Sequence, residues 1–181
     1  LGDQVALTAL DGTTWRQWSF RQLAANSNGF AAALHQRGVQ RGDRVVLMVR
    51  PSMEFVCLTF ALFTLGAVVI LIDPGMGYKN LLRCIGSVRP DILVGIDKAI
   101  WFSRLFRRPF VSVRRRLRVG RGLLGTGGGL QPEPGGEVPR FVAAASDLAA
   151  SIFTTGSTGP PKGVEYTHGT FHTQARLIRD F

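Results

Sequence analysis

"FVCLTFALFTLGAVVILIDP", Phe55 to Pro74, carries no charge until Asp73. Its length raises the question of a membrane span. Gly66 divides it. Before the glycine, Phe55, Leu58, Thr59 and Leu62 suit a helix. After it, "AVVILID" is rich in β-branched residues and ends at Asp73-Pro74. Helix, glycine stop and buried strand is therefore the reading, and no transmembrane segment is expected.

The same alternation extends in both directions. Upstream, "TTWRQWSF" alternates as a strand leading into Ser19. Ser19 and Gln22 form a capping box, followed by Phe20, Leu23, Ser27, Phe30 and Leu34 at helical spacing until Gly38. "RVVLMV" at Arg44 is a short apolar strand, and Pro51 opens the helix of the quoted stretch. Downstream, residues 78–88 read as a helix closed by Pro90, and "DILVGI" as a further strand. Continuous apolar strands alternating with helices have no polar face to show, so both faces of the sheet must be covered. The fold class is α/β, with a parallel sheet flanked by helices and its carboxyl ends on one edge, where open sheets of this kind bind ligands.

The chain has 181 residues, a formal charge of +10 from 22 basic and 12 acidic residues, and 45% hydrophobic residues. That is ample for a core and excludes a disordered tail. It begins at Leu1 without an initiator methionine and stops inside a helical pattern, so a piece of a longer protein is expected. Most of the excess charge is arginine, bunched at residues 104–121. From Arg104 to about Arg140 the α/β pattern lapses: "RRPFVSVRRRLRVGRG" gives way to "LLGTGGGLQPEPGGEVPR". These residues read as a connecting insert, solvated by default, although such a segment also suits nucleic acid, an anionic membrane or an acidic partner. Aromatic residues are sparse in it, which disfavours base stacking, and no nucleic acid is expected. Cys57 and Cys84 lie in separate apolar helical patterns without metal spacing. They read as buried free thiols of a reducing compartment, the cytoplasm.

Order resumes at "DLAASIFTT", a strand from about Ala149. It runs into "TTGSTGPPKG", Thr154 to Gly163, followed by the short strand "VEYTH" and a helix from Gly169. Gly156, Gly159 and Gly163 open backbone conformations and let main-chain N–H groups approach an anion. Thr154, Thr155, Ser157 and Thr158 add hydroxyl donors, and Lys162 a point charge. Each charge-assisted contact is worth about 1.5–3 kcal/mol, enough together to hold a triphosphate. A Walker loop is excluded, because Pro161 precedes the lysine and Gly163 follows it. The cluster at residues 125–129 lacks GxGxxG spacing, since Leu130 stands in place of the third glycine.

"SIFTTGSTGPPKGVEYTH" resembles the signature loop of the AMP-forming, or adenylate-forming, synthetases. "WSFRQLAANSNGFAAALHQRGVQRGDRVVL" and "FALFTLGAVVILIDP" resemble two further segments of that family, in order. The resemblance spans nearly the whole chain, so residues 1–181 are expected to be the first part of the large N-terminal AMP-binding domain. Within the family, "IDPGMG" and "RRPFVSVRRRLRVG" resemble the olefin β-lactone synthetases.

The resemblance implies an ATP-dependent ligase that activates a fatty-acid-type carboxylate, a 2-alkyl-3-hydroxy acid, as an acyl-adenylate. Ring closure by the substrate's own hydroxyl then expels AMP in olefin biosynthesis. A fatty acyl-CoA ligase is the alternative, and a basic module binding nucleic acid or anionic lipid through residues 104–121 the alternative of another class. Thr154, Thr155, Gly156, Ser157, Thr158 and Gly159 would wrap the β- and γ-phosphates of ATP, and Lys162 would neutralise leaving-group charge. Mg2+ is implied, with its carboxylate ligand beyond Phe181, so no metal ligand is assigned here. The catalytic elements beyond Phe181 imply that this piece alone does not turn over. Partner enzymes of the same pathway are implied too. His168 and His172 either line an acyl pocket or face solvent, and Glu165 reads as a strand-surface residue.

Overall fold

A computed structural model describes residues 2–11, 13–120, 128–136, 138–139, 141–154 and 162–180. Strands β1 (Val5–Asp11) and β2 (Thr14–Ser19) form an antiparallel hairpin. Helix α1 (Phe20–Gln36) follows, then β3 (Arg44–Met48), α2 (Met53–Thr64), β4 (Val68–Ile72), α3 (Tyr78–Val88) and β5 (Ile92–Gly95). Helix α4 (Asp97–Leu105), β6 (Arg115–Arg118), β7 (Leu148–Thr154), β8 (Lys162–Thr167) and α5 (His168–Arg179) complete the order.

The main sheet has six strands in the order β6-β5-β3-β4-β7-β8. All are parallel to their neighbours except β8, which runs antiparallel to β7. Alternate side chains feed two cores. Val45, Leu47, Val69, Ile92 and Val94 pack with Phe30 and Leu34 of α1 and Leu58 and Leu62 of α2. Val46, Ile70 and Leu93 pack with Leu81 and Ile85 of α3, with Ile100 and Phe102 of α4 beside them. Strands buried on both faces are what the unbroken apolar runs anticipate.

The expected helix boundaries have physical causes. Ser19 Oγ accepts from Gln22 N at 3.2 Å while Gln22 Oε1 accepts from Ser19 N at 2.9 Å, completing the capping box. Pro51 lies just outside α2, whose N-cap is Ser52, with Ser52 Oγ accepting from Phe55 N at 3.2 Å. At the far end of α2 the amides of Gly66 and Ala67 donate to the carbonyls of Phe63 and Leu62, a Schellman stop, with Gly66 at φ +68°. That stop turns the long apolar run into a helix and a strand. Among the described residues no helix is long and apolar enough to cross a membrane.

The arginine-rich segment departs from its expectation as a connecting insert. Arg104 belongs to α4, and "RRLR" is an edge strand paired with β5. An edge strand keeps one side open to water, so its side chains need not be apolar, and the periodicity that marks a buried strand is missing. Instead the arginines bind locally: Arg114 pairs with Asp43, Arg115 donates to the Arg37 carbonyl at the end of α1 (2.7 Å), and Arg116 donates to Ser103 Oγ (3.0 Å). The glycine- and proline-rich strip beyond is also used. Leu130 is buried beside Val119, and Glu133 N donates to the carbonyl of Gly29 on α1 at 3.0 Å.

Both thiols are free and buried, and burial pushes each above its ordinary range. In the folded protein neither is expected to alkylate at neutral pH, while both react after denaturation; mapping of labelled peptides checks this. A second test concerns the Schellman stop. A methyl group on Gly66 would meet the Phe141 ring at 2.7 Å, whereas one on Gly42, also at positive φ, meets nothing within 4 Å. Gly66→Ala is therefore expected to lower stability by about 1–2 kcal/mol more than Gly42→Ala, read from urea midpoints in the intact protein.

Candidate functional site

Five parallel strands bring their carboxyl ends to one rim: Arg118, Gly95, Met48, Ile72 and Thr154. Residues 155–161 connect the last of these to β8, which starts at Lys162 and runs back from the same rim. Thr154 and Lys162 are direct partners in the β7–β8 register, and both are exposed. A hydroxyl and an ammonium group thus stand side by side at the two feet of the loop. Thr155, Gly156, Ser157, Thr158 and Gly159 lie outside the described residues, as does Pro161.

Two contacts fix these feet. The Asp73 amide, just past β4, donates to the Phe153 carbonyl at 3.3 Å, tying the exit of β4 to the end of β7. Across the hairpin, the Phe153 ring lies over Gly163, where an added methyl group would meet it at 2.6 Å. Gly163 was read as a residue that lets the backbone approach an anion. Its described surroundings give another reason: only hydrogen fits under that ring.

Sequence reasoning missed Asp73 as part of the rim. It is an exposed carboxylate whose Oδ1 accepts from Gly75 N at 2.8 Å. The "DPG" turn signal was visible, but its place beside Phe153 depends on a pairing between distant strands. Among the described residues no three His, Cys, Asp or Glu side chains come together to hold a metal ion.

The chain order reverses between β3 and β5, because β4 lies on one side of β3 and β5 on the other, and the helices that follow β3 and β5 cover opposite faces. A reversal of this kind opens a crevice. Here it is a cleft of about 360 Å³ lined by Met48, Leu81, Ala99 and Phe102, with Arg50 and Lys98 at its mouth. A larger cleft, about 640 Å³, runs beside α3 over β4, β7 and β8. Val68, Ile70, Leu148 and Phe153 line it, together with Ser151 and Glu165. Glu165 is exposed on β8, as a strand-surface residue should be, and borders this cleft.

The two histidines are not brought to the loop. Strand β8 carries the chain from the rim to the opposite edge, where Thr167 pairs with Leu148. At strand rise this separates His168 from Lys162 by about 20 Å. His168 packs half-buried against Phe63 and Phe141, with ring centroids 5.7 and 6.1 Å away, and His172 is exposed on α5. Neither touches the chemistry expected at Lys162.

A strand-loop-strand element with a lysine foot on the carboxyl rim of such a sheet agrees with comparison to known proteins. Residues 2–181 match the model of the AMP-binding enzyme family, and the chain belongs to that family. It is 44% identical over 164 residues to an olefin beta-lactone synthetase of Stenotrophomonas maltophilia, covering 88% of this chain and 29% of that protein. A second olefin beta-lactone synthetase, from Xanthomonas campestris pv. campestris, is 40% identical over 173 residues, covering 90% of this chain and 30% of that protein. The chain therefore spans about three tenths of the length of these curated relatives. Among solved structures, a long-chain-fatty-acid-CoA ligase (FadD1) from Archaeoglobus fulgidus superposes with a TM-score of 0.78 at 20% identity, over 98% of this chain and 36% of that one. Apo MatB from Rhodopseudomonas palustris does so at 0.73 and 24%, over 92% and 32%. These likenesses establish the fold: the α/β sheet seen here is that of adenylate-forming enzymes.

Gly163→Ala tests the packing under the loop. Because the Phe153 ring must shift, the variant is expected to lose about 1–3 kcal/mol of stability, and the double variant Gly163→Ala/Phe153→Ala to show strong coupling between the two sites. Thermal or urea unfolding of the intact protein reads both.

Proposed function

We propose that this chain supplies the triphosphate-binding element of a carboxylate-activating, AMP-forming enzyme. The observation that carries the reading is the pairing of Thr154 with Lys162 at the carboxyl rim, at the two ends of a glycine- and hydroxyl-rich segment. ATP is the co-substrate. Thr154, Thr155, Gly156, Ser157, Thr158 and Gly159 hold its β- and γ-phosphates, and Lys162 lies against the pyrophosphate that departs. In-line attack by a carboxylate oxygen on the α-phosphorus forms the acyl-adenylate and breaks the bond to pyrophosphate. Fixing the triphosphate lowers the entropic part of that barrier, and the lysine offsets charge as it builds on the leaving group. Mg2+ would assist by screening the phosphates. Asp73 is a rim carboxylate in the described part of the chain, but it is not accompanied by further acids that would complete a metal site.

The carboxylate is a 2-alkyl-3-hydroxy fatty acid. Its hydroxyl oxygen attacks the activated carbonyl, the proton passes to a base, AMP leaves with the bonding pair, and a four-membered lactone remains. Support for this product comes from the two relatives named olefin beta-lactone synthetase and from the "IDPGMG" turn at the rim. A fatty acyl-CoA ligase would share every step up to the adenylate and differ only in the nucleophile.

ATP–pyrophosphate exchange in the intact protein tests the first half. Lys162 is exposed, so Lys162→Ala should fold normally while exchange falls about a hundredfold. Unchanged exchange removes Lys162 from the role given to it. Product analysis with a 2-alkyl-3-hydroxy acid tests the second half. Lactone and AMP without added CoA are expected, whereas a product that requires CoA establishes the ligase instead.

A further inference from the structure

The arginine-rich segment divides into two groups that do different things. Arg114, Arg115, Arg116 and Arg118 turn to the body of the protein, toward Asp43, the Arg37 carbonyl, Ser103 and Asp97. Lys98, Arg104, Arg107 and Arg108 are exposed, and among the described residues no ion pair engages them. Between Asp97 and Arg118 the sequence carries eight basic residues against one acid, Asp97, and that acid faces Arg118 at 3.7 Å.

The outward cations share their surface with large apolar groups. On α4, Lys98, Trp101 and Leu105 follow one another at i+3 and i+4, and Arg104 adjoins them one turn from Trp101. Trp101 is 74% exposed and Leu105 73% exposed. The opposite side of the helix is the packed one, with Ala99 and Ser103 buried. The aromatic residues nearby are already used, since Phe102 meets Phe106 and Phe110 at ring distances of 4.8 and 6.2 Å. Trp101 alone in this segment offers an open indole face.

We propose that the outer face of α4 and the turn after it, Lys98, Trp101, Arg104, Leu105, Arg107 and Arg108, form a docking surface for an anionic lipid bilayer. Trp and Leu seat at the headgroup–acyl boundary while the cations lie against acidic headgroups. Charge complementarity selects the sign of the partner. The exposed indole and isobutyl groups, one helical turn apart among the cations, select a bilayer over nucleic acid, which would require several stacking rings along a groove. The surface lies on the β5–β6 side of the sheet, away from β8. The proposal does not rest on the adenylating reaction, and vesicle binding tests it separately.

The test is sedimentation of the intact protein with phosphatidylcholine vesicles containing phosphatidylglycerol, against phosphatidylcholine alone. Binding only to the anionic vesicles, weakened by salt, is expected. Arg104→Glu/Arg108→Glu should lower the partition coefficient by about tenfold or more. The charge-matched pair Arg176→Glu/Arg179→Glu, on α5 at the other edge of the sheet, should leave it unchanged. Trp101→Ser should weaken binding even at a salt concentration that already screens the arginines. All these residues are exposed, and unchanged thermal unfolding confirms that the variants remain folded. Equal partitioning to both vesicle types, or retention by Arg104→Glu/Arg108→Glu, overturns the proposal. So does preferential binding of RNA through the same residues, or protection of Trp101 from oxidative footprinting in the vesicle-free protein, which would mean that the rest of the chain covers it.

Discussion

The ladder that joins β4 to β7, Val69 with Ala150 through Ile72 with Phe153, links parts of the chain that are far apart in sequence, and the rim depends on it. Parallel neighbours cannot be connected by a tight turn, so their pairing is held by burial on both faces rather than by local geometry. Once β7 is locked beside β4, Thr154 must emerge next to Asp73. Because the following segment returns antiparallel, Lys162 must lie at the same edge. The Thr154 hydroxyl and the Lys162 ammonium group are positioned by backbone register.

The same economy appears at the amino ends of the strands. Asp43, nearly buried, accepts from Gln40 N at 2.8 Å through one oxygen and meets Arg114 with the other. Asp91 accepts from Arg44 N at 2.9 Å. These carboxylates satisfy the Gln40 amide in the turn before β3 and the Arg44 amide at its first residue. Arginines that look from composition like a binding segment are partly the counterions of this edge, and among the described residues of that segment it is the group on α4 and the following turn that faces outward without an ion pair.

What could be read from the sequence follows from which signals are local. Helices α1 and α2 were legible because caps, glycine stops and apolar spacing all lie within them or at their ends, as Ser19, Gln22 and Gly66 illustrate, and α3 from its apolar spacing and the Pro90 that follows it. The buried strands were legible as apolar runs. Strand β1 was missed because "VALTALD" alternates weakly and pairs only with its own hairpin partner. Strand β6 was missed because an edge strand of arginines carries no hydrophobic pattern, and α4 because its exposed face holds Trp101 and Leu105 where polar residues mark a surface helix. At the candidate site, the composition of residues 154–163 drew attention to Thr154 and Lys162, which the structure pairs at the rim. The place of Asp73 beside them, the aromatic seat above Gly163 and the remoteness of His168 were not, because each depends on the β4–β7–β8 pairing.

That pairing also orders events in time. Strands β3, β4, β5 and β6 can assemble from neighbouring stretches of chain, but β7 must wait until all the residues between Ile72 and Leu148 have been made and folded back. During that interval β4 is an unprotected margin of valine and isoleucine, open to any extended strand that reaches it. A newly made chain is thus most vulnerable to misassembly just before the residues after Thr154 are synthesised, and completion of the rim is also the step that covers the margin of β4.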